Sequence, residues 1–403
     1  MANILDYLDW RGDLTLAERP FNEVDNLLLA ELSYLDFGGA VPPEYGAGVP
    51  LRQASAQYFA CHPKTEMGVL VPDRIPDLVR RMGESARFAD ARLSGYVNYV
   101  DEQTELQFSA LCCTLPDGAV YVAFRGTDDT LVGWKEDFNM GLLDTVPSQA
   151  VAVSYLQAAA AAFPDARLLV GGHSKGGNLA VYAAVFCGEQ TQSHIAKVYN
   201  NDGPGFRRRL LDLPEHRRIE GKILTMVPES SVVGMLLEHE ESYQIVRSTQ
   251  VGVMQHDGFS WVVTGEHFLH VPEASLNGRI LDGALSEFVH SMNPEQREKF
   301  VDALFEVLTC TDAETLTDLK EGGFKTASAM AKAVQKLDKD TRRALTGTLT
   351  LLIKANAKSV QEGLHPIEWL KNRHPIEAVV NWLDNWAETR MRESGESASK
   401  TER

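Results

Sequence analysis

The sequence predicts an α/β protein: a mainly parallel sheet with helices on both faces, followed by an all-helical C-terminal extension. Three observations lead there. Between residues 106 and 248, short β-rich runs alternate with helical stretches, the pattern of a sheet whose crossovers are helices. Pro116-Asp117-Gly118 joins the first two runs as a hairpin. After about residue 290 the strands stop and only helical periodicity continues.

The elements follow in order. Residues 20–37 carry Val24, Leu27, Leu28, Leu32 and Leu35 at helical spacing. Residues 38–50, rich in Gly and Pro, form a loop. Residues 51–100 read as helical and irregular, with a helix start at Ile75-Pro76. Residues 106–115 and 119–124 are strands, and 147–162 is an Ala-rich helix. Residues 167–171 form a short apolar strand, and 177–186 a helix of small residues. Three more strands occupy 197–201, 222–227 and 243–248. Asn293-Pro294 is an N-cap and N1 pair, opening a helix with Phe300, Val301, Leu304, Phe305 and Leu308 on one face. Residues 322–337 and 341–358 read as two further helices. His365-Pro366-Ile367-Glu368 recurs as His374-Pro375-Ile376-Glu377, each proline starting a short helix. The expected organisation is a sheet domain over 1–290, a helical region over 291–390 and a small, polar tail over 391–403.

Composition narrows the function classes. With 44% hydrophobic and 24% charged residues, a core forms without disulfides or metals. A formal net charge of -17 repels nucleic-acid backbones, so no nucleic-acid partner is expected. The five cysteines, Cys61, Cys112, Cys113, Cys187 and Cys310, match no zinc or disulfide spacing and suit a reducing compartment. The N-terminus has neither the basic nor the apolar part of a signal peptide, and no run of about 18 apolar residues occurs. The expectation is therefore a cytoplasmic protein without a transmembrane segment. No metal or cofactor is expected: His267 and His270 lack a carboxylate at metal-site spacing, and His239 sits in an acidic, solvated stretch.

The chemistry concentrates in Gly172-His173-Ser174-Lys175-Gly176. A serine hydroxyl is a weak nucleophile near neutral pH and needs a base to take its proton and donors to receive an oxyanion. Gly-x-Ser-x-Gly between a strand and a helix is a nucleophile elbow, which exposes the hydroxyl on a sharp turn. Strand 167–171 and helix 177–186 supply that context, so Ser174 is the expected nucleophile. His173 is expected to point away from the hydroxyl. The oxyanion donors are expected to be the backbone N–H of Lys175 and that of Thr127, in the Phe124-Arg125-Gly126-Thr127 turn. With the order Ser, acid, His, the base falls on His256, on a loop beyond the strand at 243–248. Two carboxylates compete for the acid: Glu229 after the strand at 222–227, favoured by strand order, and Asp202 after the strand at 197–201.

These residues resemble the class 3 lipase branch of the α/β-hydrolases. Gly172-His173-Ser174-Lys175-Gly176-Gly177, Phe124-Arg125-Gly126-Thr127 with Trp134, and Asp202-Gly203-Pro204-Gly205-Phe206 carry the likeness. The elbow through Ala180, the segment 228–234, and Gln255-His256-Asp257 with Ser260-Trp261 resemble the bacterial Mbeg-like domain family, over roughly residues 20–265. The resemblance implies an α/β-hydrolase fold and a serine-hydrolase mechanism, without fixing a substrate. Two departures from class 3 lipases stand out: Lys175 replaces an apolar residue, and Glu229 or Ser230 stands near the place of the usual aspartate. A lysine there either favours acyl groups carrying negative charge or points to solvent.

Two functions from different classes follow. One is a serine esterase or lipase-like hydrolase acting on a small ester or lipid-like substrate, with Ser174, His256 and Glu229 (or Asp202) as its triad. The other is an inactive scaffold of the same fold whose C-terminal helices bind a protein partner. Those helices are also where a second copy of the chain is expected to dock.

Overall fold

The computed structural model describes residues 1–342 except 66, 69–70, 141–144, 207, 232, 235–242, 251, 274–293, 312, 322 and 339–340. The helix expected over 341–358, the two His-Pro-Ile-Glu segments, the cap at Asn293, His239 and the tail all lie outside the described residues, wholly or in large part. The described contacts divide the chain into two compact units, one built on residues 1–67, 71–128 and 132–287, the other on 68–70, 129–131 and 288–403.

The first unit is organised by a nine-stranded sheet. Its strands are β1 (Val49–Pro50), β2 (Arg92–Asp101), β3 (Leu106–Thr114), β4 (Val120–Phe124), β5 (Leu168–His173), β6 (Ile195–Asn201), β7 (Ile223–Pro228), β8 (Tyr243–Val246) and, beyond a separate β9–β10 ribbon (Val263–Thr264 and His267–Phe268), β11 (His270–Val271). The spatial order is β1-β2-β3-β4-β5-β6-β7-β8-β11. Strands β4 to β8 run parallel, while β1 to β4 and the β8–β11 pair are antiparallel. The sheet is therefore mixed: the expected parallel arrangement holds at its centre and gives way at both ends. The stretch 51–100, expected to be helical and irregular, also holds most of a strand, β2 at 92–101.

Four helices come before β2: α1 (Ile4–Arg11), α2 (Glu23–Leu32), α3 (Leu51–Cys61) and α4 (Ile75–Glu84). After it come α5 (Leu131–Met140), α6 (Pro147–Ala162) and α7 (Lys175–Phe186). Helix α2 starts at a reciprocal cap, in which Asn22 and Asp25 each accept from the other's backbone region. Proline at the start of α6 occupies a position whose N–H has no helical partner anyway.

Side-chain alternation sorts the strands between two cores. Leu111, Cys113, Tyr121, Ala123 and Leu169 pack with α1 to α4. Ala110, Cys112, Val120, Val122, Phe124, Leu168 and Val170 pack with α6 and α7 on the opposite face. Both faces are covered, so the central strands read as continuous apolar runs. Cys112, Cys113 and Cys187 are buried free thiols, and Cys61 and Cys310 are exposed.

The second unit holds helices Pro294–Leu308, Leu316–Glu321 and Gly323–Lys336 around Leu131, Val307, Leu319, Met330 and Val334. Thr130 bridges Thr315, and the Thr317 N–H donates to Asp129 at 3.0 Å. Among the described residues no helix is long and apolar enough to cross a membrane.

Candidate active site

Strand β5 ends at His173, helix α7 begins at Lys175, and Ser174 is the turn between them. Its backbone has φ 58° and ψ −132°, a region that residues with a side chain rarely enter. The flanking glycines make the turn possible. A Cβ on Gly172 would lie 2.4 Å from the carbonyl oxygens of Gly176 and Phe124. One on Gly176 would lie 2.1 Å from the Phe124 oxygen. The elbow therefore nests against the end of β4, from which the Thr127 loop departs. Gly126 continues that contact, its Cβ position only 2.6 Å from the His173 carbonyl oxygen.

The parallel register sets the end of β6 beside the elbow. His173 pairs with Asn201, and the Ser174 N–H donates to the Asn201 carbonyl at 2.9 Å. Asp202 follows immediately, fully buried and with a left-handed φ of 52°. Its Oδ2 accepts from His256 Nδ1 at 2.6 Å, and its Oδ1 accepts from the Ser231 hydroxyl at 2.5 Å. Because the carboxylate accepts at Nδ1, the proton sits there and Nε2 of His256 is the basic nitrogen.

Of the two carboxylates that compete for the acid's place, Asp202 and not Glu229 contacts His256. Glu229 Oε2 lies 3.6 Å from Arg247 Nε, and the Glu229 N–H donates to Val246 in the β7–β8 layer. Asp202 follows β6, the neighbour of the elbow strand, while Glu229 follows β7, one strand further along the sheet.

His256 closes a short 3-10 turn, Gly252–His256. Gln255 secures it: its side-chain oxygen accepts from the Ser230 N–H at 2.7 Å, and its carbonyl accepts from Trp261 Nε1 at 3.0 Å. His173 lies beneath it. Its Nε2 donates to the His256 carbonyl at 2.8 Å, its Nδ1 accepts from the Tyr34 hydroxyl at 3.1 Å, and the two imidazole centroids are 4.5 Å apart. Burial, reinforced by the neighbouring His256, holds the His173 pKa well below its usual value, so the ring is neutral. Glu31 approaches the same ring at 3.8 Å, but burial pushes its carboxyl well above the usual range. With the ring neutral, this contact is not an ion pair.

Thr127 is buried, and its hydroxyl donates to Asp137 Oδ2 on α5. The hydroxyl is thereby occupied, which leaves the backbone N–H as the group available to an oxyanion. Burial pushes the Asp137 carboxyl up to about 6, against the lowering pull of Lys175. Lys175 itself overturns both sequence readings of its side chain. It points neither to solvent nor to a substrate: it is 1% exposed, and its Nζ donates to the Gln107 carbonyl at 2.9 Å and to Glu136 Oε2 at 3.1 Å.

Several supports had no sequence signal that single-residue reasoning uses. Asn201 Nδ2 donates to the Gly172 carbonyl at 2.9 Å, Asn26 donates to Asn201 Oδ1 at 2.8 Å, and the Tyr121 hydroxyl donates to Asn26 Oδ1 at 2.8 Å. On the other side, Asn178 Nδ2 donates to the Pro204 carbonyl at 2.9 Å and Gln149 donates to Asn178 Oδ1 at 2.8 Å. The run Asn200-Asn201-Asp202 was the one hint, since three polar residues ending a buried strand need partners. His267 and His270 lie together at Glu23, His270 Nε2 at 3.0 Å from its carboxylate, and no group able to hold a metal ion occurs among the described residues.

A family model described as Mbeg1-like matches residues 82–306. A solved structure, described as a crystal structure of a mutant form of MDLA from Penicillium cyclopium, is 16% identical over 62% of this chain and 84% of that one, with a TM-score of 0.34. No curated protein matches the chain.

Proposed function

The chain belongs to the Mbeg1-like family, and from the site it carries we propose that it is a serine hydrolase of α/β-hydrolase fold that cleaves a carboxylic ester. The observation that carries this reading is the 2.6 Å contact of His256 Nδ1 with buried Asp202, one strand from a serine held at φ 58°. In this reading Nε2 of His256 takes the Ser174 proton as Oγ attacks the ester carbonyl. The N–H groups of Thr127 and Lys175 receive the oxyanion. Collapse expels the alcohol, which takes the proton from His256, and water repeats the sequence to free the acid and Ser174. Asp202 keeps His256 in the reactive tautomer and stabilises its charged form.

The sheet unit, residues 1–290, is then the catalytic domain and 291–390 a helical addition. The contact of Asp202 with His256 favours the hydrolase over the inactive scaffold. Buried Lys175 gives no reason to expect anionic acyl groups.

A fluorophosphonate probe tests the proposal. Wild-type protein is expected to label on the peptide containing Ser174 and to hydrolyse short p-nitrophenyl esters, while Ser174→Ala does neither and keeps its fold by circular dichroism. Folded wild type that neither labels nor turns over any ester overturns it.

A further inference from the structure

The elbow lysine has no role in the mechanism beyond its backbone N–H, yet its side chain is the most deeply buried cation of the site. Lys175 Nζ donates to the carbonyl and to the side-chain oxygen of Gln107, to Glu136 Oε2 at 3.1 Å, and lies 3.9 Å from Asp137 Oδ1. Glu136 is fully used in turn: Oε2 also accepts from the Gln107 N–H at 3.1 Å, and Oε1 from the Ser148 N–H at 2.7 Å, at the start of α6. Its neighbour Asp137 accepts from the Thr127 hydroxyl.

The two oxyanion donors come from different elements, Thr127 from the loop after β4 and Lys175 from the first residue of α7. Adjacent carboxylates on α5 reach both of them, Asp137 through the Thr127 hydroxyl and Glu136 through the Lys175 ammonium. Building on the ester-hydrolase reading above, we infer that the Lys175 side chain is a positioning group of the oxyanion hole: through Glu136 and Asp137 it locks the amides of residues 127 and 175 into one frame.

The physical case rests on cost. Burying an ammonium is expensive, and replacing a whole buried ion pair with apolar side chains of similar volume is often neutral or stabilising. A pair kept for stability alone would therefore be easily replaced. A pair that sets donor geometry would not be, because an oxyanion donor acts only when aimed at the position the charge will occupy. The charged groups facing Lys175 are Glu136 and Asp137 from α5; on the loop side, Asp128 is held by Arg125 at 2.9 Å. The ammonium thus balances the carboxylates that face it, and its removal leaves Glu136 buried without a counter-charge.

The test compares Lys175→Met with the double variant Lys175→Met/Glu136→Gln in the full chain. Turnover of p-nitrophenyl butyrate is normalised to sites titrated by fluorophosphonate, alongside Tm and inhibition by an alkyl boronic acid, which mimics the tetrahedral state. Displacing rather than deleting one donor is expected to lower kcat by roughly 10- to 100-fold, below the 10²–10³-fold loss on deleting one. KM should stay within about twofold, and boronate affinity should fall in step with kcat. Removing both charges should restore Tm while kcat stays low. Unchanged kcat per titrated site in Lys175→Met, or a kcat that recovers with Tm in the double variant, overturns the inference and leaves the hydrolase reading standing. A wild type that neither labels nor turns over overturns both.

Discussion

Asp202→Asn is expected to lower kcat by about 10⁴-fold while leaving the protein folded. Asparagine matches aspartate in shape, so the turn after β6 and its backbone contact with Met226 survive. What changes is the proton pattern. The aspartate accepts from His256 Nδ1 and from the Ser231 hydroxyl at once. An amide that turns its NH₂ toward Nδ1 makes that nitrogen the acceptor, which moves the imidazole proton to Nε2 and removes the base that the proposed mechanism requires. The charge that would stabilise the imidazolium goes as well. Glu229→Gln is the matched control. Glu229 engages Arg247, so its kcat should stay within about twofold of wild type. Measured kcat for the two variants, normalised to circular dichroism and active-site titration, decides the acid. Near-normal turnover in Asp202→Asn with loss in Glu229→Gln would return the role to Glu229.

The largest stability effect is expected far from the chemistry, at Arg87. Its guanidinium is fully buried and pairs with both oxygens of Asp25, through Nε at 2.7 Å and through Nη2. The remaining donors reach the carbonyls of Leu14, Arg19 and Pro20, at 3.2, 3.0 and 3.3 Å. One side chain thus ties down the chain between α1 and α2 and supports the N-terminus of α2. Arg87→Met removes the only cation in that contact and strands a carboxyl whose pKa burial already raises. Breaking one member of a buried pair costs about 3–5 kcal/mol. The double variant Arg87→Met/Asp25→Asn should recover part of that, since no charge is then left alone. Urea unfolding monitored by tryptophan fluorescence reads both. A loss below about 1 kcal/mol in the single variant would show that solvent reaches Asp25.

Legibility in the sequence followed the range of the interaction involved. Helix α6 and the strand–elbow–helix unit at Ser174 are local patterns, and composition alone locates them. Strand β2 escaped because its period is broken. Gly95 sits at φ 64° and the pairing with β3 shifts between Ser94 and Val97, so apolar residues change face midway. The choice between Asp202 and Glu229 stays open in the sequence for a related reason. Asp-Gly-Pro signals a turn, and Asp202 does make one, but its left-handed backbone also brings the carboxylate to a histidine 54 positions later. Strand order cannot encode that. The burial of Lys175 depends on Glu136, 39 residues upstream on another element, and no local pattern predicts a buried lysine. His173 was legible only as a neighbour of the serine; its hold on the His256 carbonyl spans 83 residues.

Three described non-glycine residues have positive φ, and Ser174 and Asp202 are two of them. Such backbone costs of order 1–3 kcal/mol at each position, and glycine would relieve it. Thermal robustness and reactivity are therefore opposed at residue 174. A directed-evolution screen that rewards heat resistance alone will be drawn toward replacing the serine, and will return sturdier, silent proteins. Any campaign to harden this chain needs turnover as a second selection, because relieving the backbone at residue 174 removes the proposed nucleophile.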